Sequence, residues 1–169
     1  MVRGRALETR YGSLEARGRS LEARRGLEAR RGLEARKAGE PFAAQVVDVL
    51  AAAAASVVWD WAKVALVANA DGALPGIQTY ALLIWDGRGF EGWMPAEAVE
   101  DLNRVLVRWR AGLERLSHPS WTALFVGVVN DGGRLRSRWV VADDADFDAW
   151  RIRLGESNVP MAERGLAGL

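Results

Sequence analysis

The sequence predicts an α+β fold: a two-layer domain in which two main helices cover one side of an antiparallel sheet of about four to five strands. Half of the 169 residues are hydrophobic and 27% are charged, which is a globular composition. Two segments repeat apolar residues at spacings of three and four, the period of a helix. The dipeptides Asp86-Gly87 and Asp131-Gly132 separate apolar runs, which is typical of antiparallel hairpins.

Two proline residues mark where the helices are expected to begin. Pro41 suits the first turn of a helix, and an apolar stripe follows it. The members of that stripe are Phe42, Val46, Val49, Leu50, Ala53 and Val57. Pro95 opens the second helix, with acidic residues early and arginines late, as the helix dipole favours. Its apolar stripe consists of Val99, Leu102, Leu106, Trp109, Leu113 and Leu116.

Five segments rich in β-branched and aromatic residues are expected to form the strands. They are residues 63–69, 78–85, 90–94, 121–130 and 135–142. An acidic segment, 143–148, follows the last of them, and residues 150–154 are expected to form a short helix or strand.

Residues 1–39 differ in composition from the rest of the chain. They repeat an LEARRG-type unit and hold 11 basic against 5 acidic residues, whereas residues 40–169 hold 12 basic and 17 acidic residues. Each unit contains one leucine and a glycine, too little for a coiled-coil seam. We therefore expect a low-complexity basic tail, disordered or transiently helical, before a single domain at 40–155, with a frayed C-terminal tail at 156–169.

Composition excludes several kinds of function. The chain has no cysteine and one histidine, His118, which rules out cysteine-ligated or multi-histidine metal sites and thiol catalysis. His118 could serve as a general base in an enzyme of an unrecognised kind, but it follows the second helix, and the favoured expectation is a histidine at the negative end of that helix. We find no cofactor motif and no catalytic constellation, so the expectation is a protein that is not an enzyme and has no cofactor. Residues 42–59 include Gln45 and Asp48 and are expected to be too polar to span a membrane, which favours a cytoplasmic protein.

Eight tryptophans and an acidic run are the candidate binding features. Trp85, Trp109 and Trp139 are expected in the core. Trp61, Trp93 and Trp150 lie near element ends and are the candidate surface anchors. The acidic residues Asp143, Asp144, Asp146 and Asp148 either cap a short helix or face a basic partner. The segment departs from a calcium loop, since Ala149 and Gly155 stand where such a loop has Gly and Glu.

The chain resembles the YezG-like family of bacterial immunity proteins, the antitoxins of polymorphic toxins, over about residues 42–154. The resemblance rests on the order of the elements and on a set of aromatic and turn residues. These are Trp59-Asp60-Trp61, Tyr80, Trp85, the run Trp121-Thr122-Ala123-Leu124, Asp131-Gly132, Asp148, Trp150 and Leu154. The basic repeat 1–39 has no counterpart in the family pattern.

The resemblance implies a cytoplasmic, non-enzymatic protein that binds and occludes a cognate toxin domain, which is basic and often a nuclease. The acidic residues 143, 144, 146 and 148 would attract that partner. Trp150, Trp93 and Glu91 would be the buried anchors. The alternative is a nucleic-acid-binding protein that uses the basic tail and Arg134, Arg136 and Arg138, with Trp139 nearby. Nucleic acid is otherwise expected to bind only weakly, through residues 1–39.

Overall fold

The computed structural model describes residues 5–70, 76–91, 94–118, 120–142 and 146–169. The chain divides into two units, residues 1–38 and 39–169. In the described residues, an antiparallel five-stranded sheet is combined with three α-helices, which confirms the α+β class. The helices are α1 (Arg5–Val57), α2 (Ala96–Arg115) and α3 (Val159–Leu166), and a 3₁₀ turn covers Phe147–Trp150. The strands are β1 (Trp61–Asn69), β2 (Gln78–Trp85), β3 (Arg88–Glu91), β4 (Ala123–Asp131) and β5 (Arg134–Ala142).

The first helix does not begin at Pro41. It begins at Arg5 and includes Pro41 as an interior residue. Proline is compatible with the first turn of a helix but does not require a helix to start there, and it costs an interior helix one backbone hydrogen bond. Of the two alternatives expected for residues 1–39, disorder or transient helix, the structure has a helical backbone from Arg5 onward.

Within the first unit, two leucines of the repeat are shown to be solvent-exposed. Leu27 and Leu33 are 53% and 55% exposed. Gly26 and Gly32 have no heavy atom within 4 Å of the position where a Cβ would lie. The repeat therefore presents its apolar and basic side chains to solvent in these turns.

Within the stretch Arg25–Val57 of α1, one window of 18 residues has a mean hydropathy of 1.3, which by length and composition alone is enough for a membrane span. The expectation that this region is too polar for a bilayer is therefore not supported by hydropathy. Core helices of globular domains can have the same length and composition. Val46 and Leu50 of this stretch are fully buried within the second unit, as in such a core helix.

The strands lie in the order β3-β2-β1-β4-β5, so β3 and β5 form the two edges of the sheet. Two tight turns fix the hairpins. Asp86 and Gly87 have φ values of 40° and 72°, the two positive values of a type I′ turn, and this turn joins β2 to β3. Gly132 and Gly133, with φ of 60° and 95°, join β4 to β5. Both hairpins were predicted from the sequence.

One side of the sheet, the helix face, is covered by α1 and α2. Trp109 of α2 is fully buried there, and its ring centroid lies 5.3 Å from that of Trp139 in β5. Phe42 of α1 stacks on Trp109 at 6.1 Å, and Trp121 approaches it edge-on at 6.5 Å. Arg108 of α2 also donates a hydrogen bond to the Oε1 of Gln45 in α1 at 3.0 Å. This aromatic group joins both helices to the edge of the sheet.

The opposite side, the C-terminal face, is covered by the 3₁₀ turn and α3. A buried cluster on this face combines strand residues with two residues of α3. Its members are Ala65, Val67, Tyr80, Leu82, Phe125, Ala162 and Leu166. The expectation that residues 156–169 form a frayed tail is therefore wrong. Pro160 stands in the first turn of α3, where proline is favoured.

Two glycines make room for Phe125 on the C-terminal face. A Cβ at Gly165 of α3 would overlap the Phe125 ring, and a Cβ at Gly127 of β4 would lie 2.8 Å from the ring's Cζ. Both glycines are buried. Glycine is required at Gly165 for the close approach of helix and sheet, and not for a turn.

Two buried asparagines attach the C-terminal segment to the sheet. The Nδ2 of Asn69, at the end of β1, donates to the carbonyl oxygen of Trp150 at 2.9 Å, and its Oδ1 accepts from the backbone N–H of Ile152 at 2.6 Å. Asn158 closes the following loop, because it accepts from the N–H of Arg153 and donates to the carbonyl of the same residue. These side chains satisfy backbone groups that no strand pairs.

We predict that Gly165→Ala destabilises the protein although alanine is the better helix former. The added methyl overlaps the Phe125 ring, and overpacking of this kind costs about 1–3 kcal/mol. Chemical denaturation measures the free energy of unfolding. Gly26→Ala is the control, since its Cβ meets open space and should not lower stability. Equal stability of the Gly165→Ala variant and the wild type would contradict this account of the C-terminal face.

We also predict that Asn69→Ala lowers the free energy of unfolding by about 1–3 kcal/mol, because it leaves the Trp150 carbonyl and the Ile152 N–H without partners. Limited proteolysis should then cut the segment after residue 150 sooner than in the wild type. Asn103→Ala, at an exposed position of α2, should change stability by no more than about 0.5 kcal/mol. If Asn69→Ala and Asn103→Ala lower the free energy of unfolding equally, the hydrogen bonds of Asn69 do not hold the segment after residue 150 on the sheet.

Candidate partner-binding surface

The turn between α1 and β1 presents an exposed tryptophan. Trp59 is 95% exposed, whereas Trp61, two residues later, is 5% exposed. The sequence predicts Trp61 as the surface anchor, but the exposed tryptophan is Trp59. Trp61 is the first residue of β1 and is covered by the fold, while Trp59 stands in the turn before the strand.

A second pair of aromatic residues lies on the β2–β3 hairpin. The ring centroids of Trp85 and Phe90 are 4.1 Å apart, with planes tilted by 32°. Phe90 is 40% exposed and Trp85 is half-buried. Phe90 pairs with Leu83, so alternation along the strand places Trp85, Leu83 and Phe90 on the helix face.

The exposed turn and the hairpin are neighbours because Trp61 of β1 pairs with Trp85 of β2. We call Trp59, Trp85 and Phe90 together the aromatic hairpin surface. Its surroundings include two exposed carboxylates, Asp60 and Asp86. Exposed aromatic groups with charged neighbours, held on strands and a tight turn, are typical of protein-binding surfaces.

A groove of about 390 Å³ runs between α1 and the first turns of α2. It has a floor of small residues, Ala52, Ala53 and Ala98, and three carboxylates among its lining residues. These are Asp48, Glu97 and Asp101. Asp101 is already paired, since Arg104 donates to it at 2.5 Å. We call this the acidic groove.

The acidic groove adjoins the aromatic hairpin surface. Ala53 and Pro95 line both the groove and a small crevice of about 10 Å³ that also includes Leu83. Leu83 is the cross-strand neighbour of Phe90. The groove, the crevice and the hairpin therefore follow one another along the same side of the sheet, and one partner could touch the groove and the hairpin together.

The structure places three of the predicted site residues in the 3₁₀ turn region after β5. Asp146 and Asp148 are exposed, and the 3.9 Å pair of Asp148 with Arg151 is a weak surface contact. Trp150 is half-buried, with its ring 4.9 Å from that of Phe125 and the Arg164 guanidinium 5.1 Å above it. Its indole contributes to the protein's own core.

One further predicted site residue, Glu91, is described by the structure, and it does not join this group. Glu91 is the last residue of β3, which is the opposite edge of the sheet from β5. Trp93, Asp143 and Asp144 lie outside the described residues. Of the four predicted residues that the structure describes, Glu91 lies apart from Asp146, Asp148 and Trp150, and it directly follows Phe90 of the aromatic hairpin surface.

His118 and the strand arginines were also singled out from the sequence. The His118 N–H donates to the Leu113 carbonyl at 3.0 Å and closes α2, as a helix-end residue does. Arg134, Arg136 and Arg138 are exposed and share one face of β5. That face is the C-terminal face, whereas Trp139 points to the helix face and packs on Trp109.

Sequence reasoning missed the acidic groove and most of the aromatic hairpin surface. Glu97 and Asp101 are four residues apart and share a helix face with Ala98, but we assigned these acids to the helix dipole. The exposure of Trp59 has no local signal, since Trp59 and Trp61 flank the same aspartate. Only the pairing of β1 with β2 shows which of the two is covered.

Comparison with protein-family models gives no match for this chain, and comparison with curated protein sequences gives none either. Within the described part of the chain, no three acidic or histidine side chains are arranged to hold a metal ion. The resemblance to the YezG-like family stays a prediction.

We predict opposite effects for the two neighbouring tryptophans. Trp61→Ala should cost about 3–5 kcal/mol of unfolding free energy, because it empties a buried site. Trp59→Ala should change stability by no more than about 0.5 kcal/mol, because its ring is exposed in the free protein. Thermal and denaturant unfolding of the two variants give the comparison. A large loss for Trp59→Ala would mean that this ring supports the fold, and would remove it from the candidate surface.

Proposed function

We propose that this protein is an immunity protein, an antitoxin that acts in the cytoplasm by binding and occluding a basic toxin domain, without catalysis or cofactor. The observation that carries the proposal is the aromatic hairpin surface beside the acidic groove. The sequence resemblance described above supports the same class of protein. In this proposal the toxin is covered in part by the hairpin and in part by the groove.

The aromatic residues would supply most of the affinity. Tryptophan buries about 150–250 Å² and is enriched among the residues that dominate binding energy. At about 25 cal/mol per Å², covering a ring like that of Trp59 is worth about 4–6 kcal/mol before the costs of association. Trp85 and Phe90 already stack on each other, so little side-chain freedom is lost when a partner covers them.

The charges would supply attraction and orientation. Residues 40–169 carry five more acidic than basic residues. Asp48 and Glu97 in the groove, with Asp60 and Asp86 beside the aromatic rings, put part of that excess on the proposed binding side. A nuclease domain binds phosphates and is commonly basic, so such a surface speeds its association.

The alternative function, nucleic-acid binding, is less well supported by the arrangement of arginines and tryptophan on β5. Base stacking requires an aromatic ring on the same side as the basic groups. Trp139 lies on the opposite face of the strand from the arginines. The basic residues of the N-terminal repeat remain as its support, with helical backbone from Arg5 onward.

The test is growth rescue. The full chain is co-expressed with the toxin-like open reading frame encoded beside this gene, and colony survival and co-purification are scored. The wild type should rescue growth. The double variant Trp59→Ala, Phe90→Ala should lose rescue, since removing a central aromatic anchor costs about 2 kcal/mol or more in binding, about thirtyfold in affinity.

Val107→Ala is the matched control. Val107 is also a large exposed apolar residue, at 57% exposure, but it lies on α2 away from the hairpin, and its loss should leave rescue intact. Failure of the wild type to protect cells or to bind the toxin would overturn the proposed function. Full rescue by the double variant would leave the function in place and move the binding surface elsewhere.

A further inference from the structure

The outer edge of β5 is open among the described residues. β5 is nine residues long and pairs only with β4, whereas the other edge strand, β3, has four residues. An open edge strand of this length is a template on which another strand can add through main-chain hydrogen bonds.

The two faces of β5 differ sharply in chemistry. Arg134, Arg136 and Arg138 lie on the C-terminal face, all exposed. No ion pair is formed by these three in the described residues, although Asp131 is the cross-strand neighbour of Arg134. On the helix face, Leu135 and Val141 are 44% and 45% exposed. The strand therefore presents unpaired positive charge on one side and uncovered apolar groups on the other.

We propose that the β5 edge binds an extended acidic segment of a partner protein, which adds to the sheet as a sixth strand. The segment has carboxylates at alternate positions, facing the arginines, with apolar residues between them, facing Leu135 and Val141. Cross-strand neighbours of opposite charge stabilise such a pair, and β-strand addition supplies the rest through the backbone. This site lies on the opposite edge of the sheet from β3 and does not depend on the proposed function.

A second copy of this chain is a poor occupant of the same edge. In a symmetric antiparallel pair of β5 strands, residues opposite each other lie on the same face. The arginines of both copies would then share one face, and like charges across strands are destabilising. An acidic segment is attracted by the same arginines that would repel a second copy.

Arg138 lies beside the end of α3. Its guanidinium lies against Gly168, just after the last turn of that helix. The carbonyl end of a helix favours a nearby cation, so this neighbour is compatible with the positive face of β5.

The experiment uses the full chain and a nine-residue synthetic peptide of alternating glutamate and valine, labelled for fluorescence anisotropy. There are three control peptides. The first has the same composition with its glutamates in one block. The second is the alternating peptide with every glutamate N-methylated, and the third is the alternating peptide with every valine N-methylated. Because only alternate N–H groups of an added strand point toward β5, one of the two methylated peptides loses those hydrogen bonds and the other keeps them. We expect the alternating peptide to bind, the blocked peptide to bind at least about tenfold more weakly, and only one methylated form to lose binding.

The protein variants are Arg136→Glu and, as control, Arg115→Glu at the exposed end of α2. Arg136→Glu should weaken the peptide about tenfold or more with an unchanged unfolding midpoint, and Arg115→Glu should bind as the wild type does. Equal binding of the alternating and blocked peptides, or insensitivity to both methylation phases, would overturn strand addition. Displacement of the peptide by single-stranded oligo-dT, with tighter binding of the oligonucleotide, would overturn the acidic segment in favour of nucleic acid.

Discussion

The fold depends on the fact that its central strands are buried on both faces. All residues of β1 from Val64 to Asn69 are buried, and β4 is buried from Ala123 to Val129. Strands of this kind require a cover on each side, because exposing either face returns a continuous apolar surface to water. The helices supply one cover through Trp109, and the last twenty or so residues of the chain supply the other. Everything proposed for the surfaces rests on a sheet that is held from both sides.

Most of the core of the fold could be read from the sequence. The residues of β2, both hairpins, the second helix and the α+β class follow from period, turn dipeptides and proline position. The C-terminal cover did not follow. Gly165 and Gly168 count as helix breakers when only local backbone cost is considered. What Gly165 accommodates is a ring from Phe125, forty positions earlier in the chain, and no local pattern reports a contact at that distance.

The candidate surfaces were less predictable than the core. A tryptophan near the end of an element has equal local reasons to be covered or exposed, and Trp59 and Trp61 show both outcomes within three residues. The arginines of β5 were found correctly as a group on one face. Their relation to Trp139 was not, because adjacent residues of a strand point to opposite faces, and proximity in the sequence was taken for proximity in space. Surfaces are set by strand order, which depends on the whole chain.

The position of α3 after all five strands has a consequence for biosynthesis. Ribosomes release a protein from its N-terminus onward, and segments fold in the order in which they emerge. β1, β2 and β4 emerge before Ala162 and Leu166, which cover their C-terminal face. Until α3 has emerged, the nascent sheet carries an open apolar side around Phe125. A premature stop near residue 155 would therefore leave an aggregation-prone intermediate.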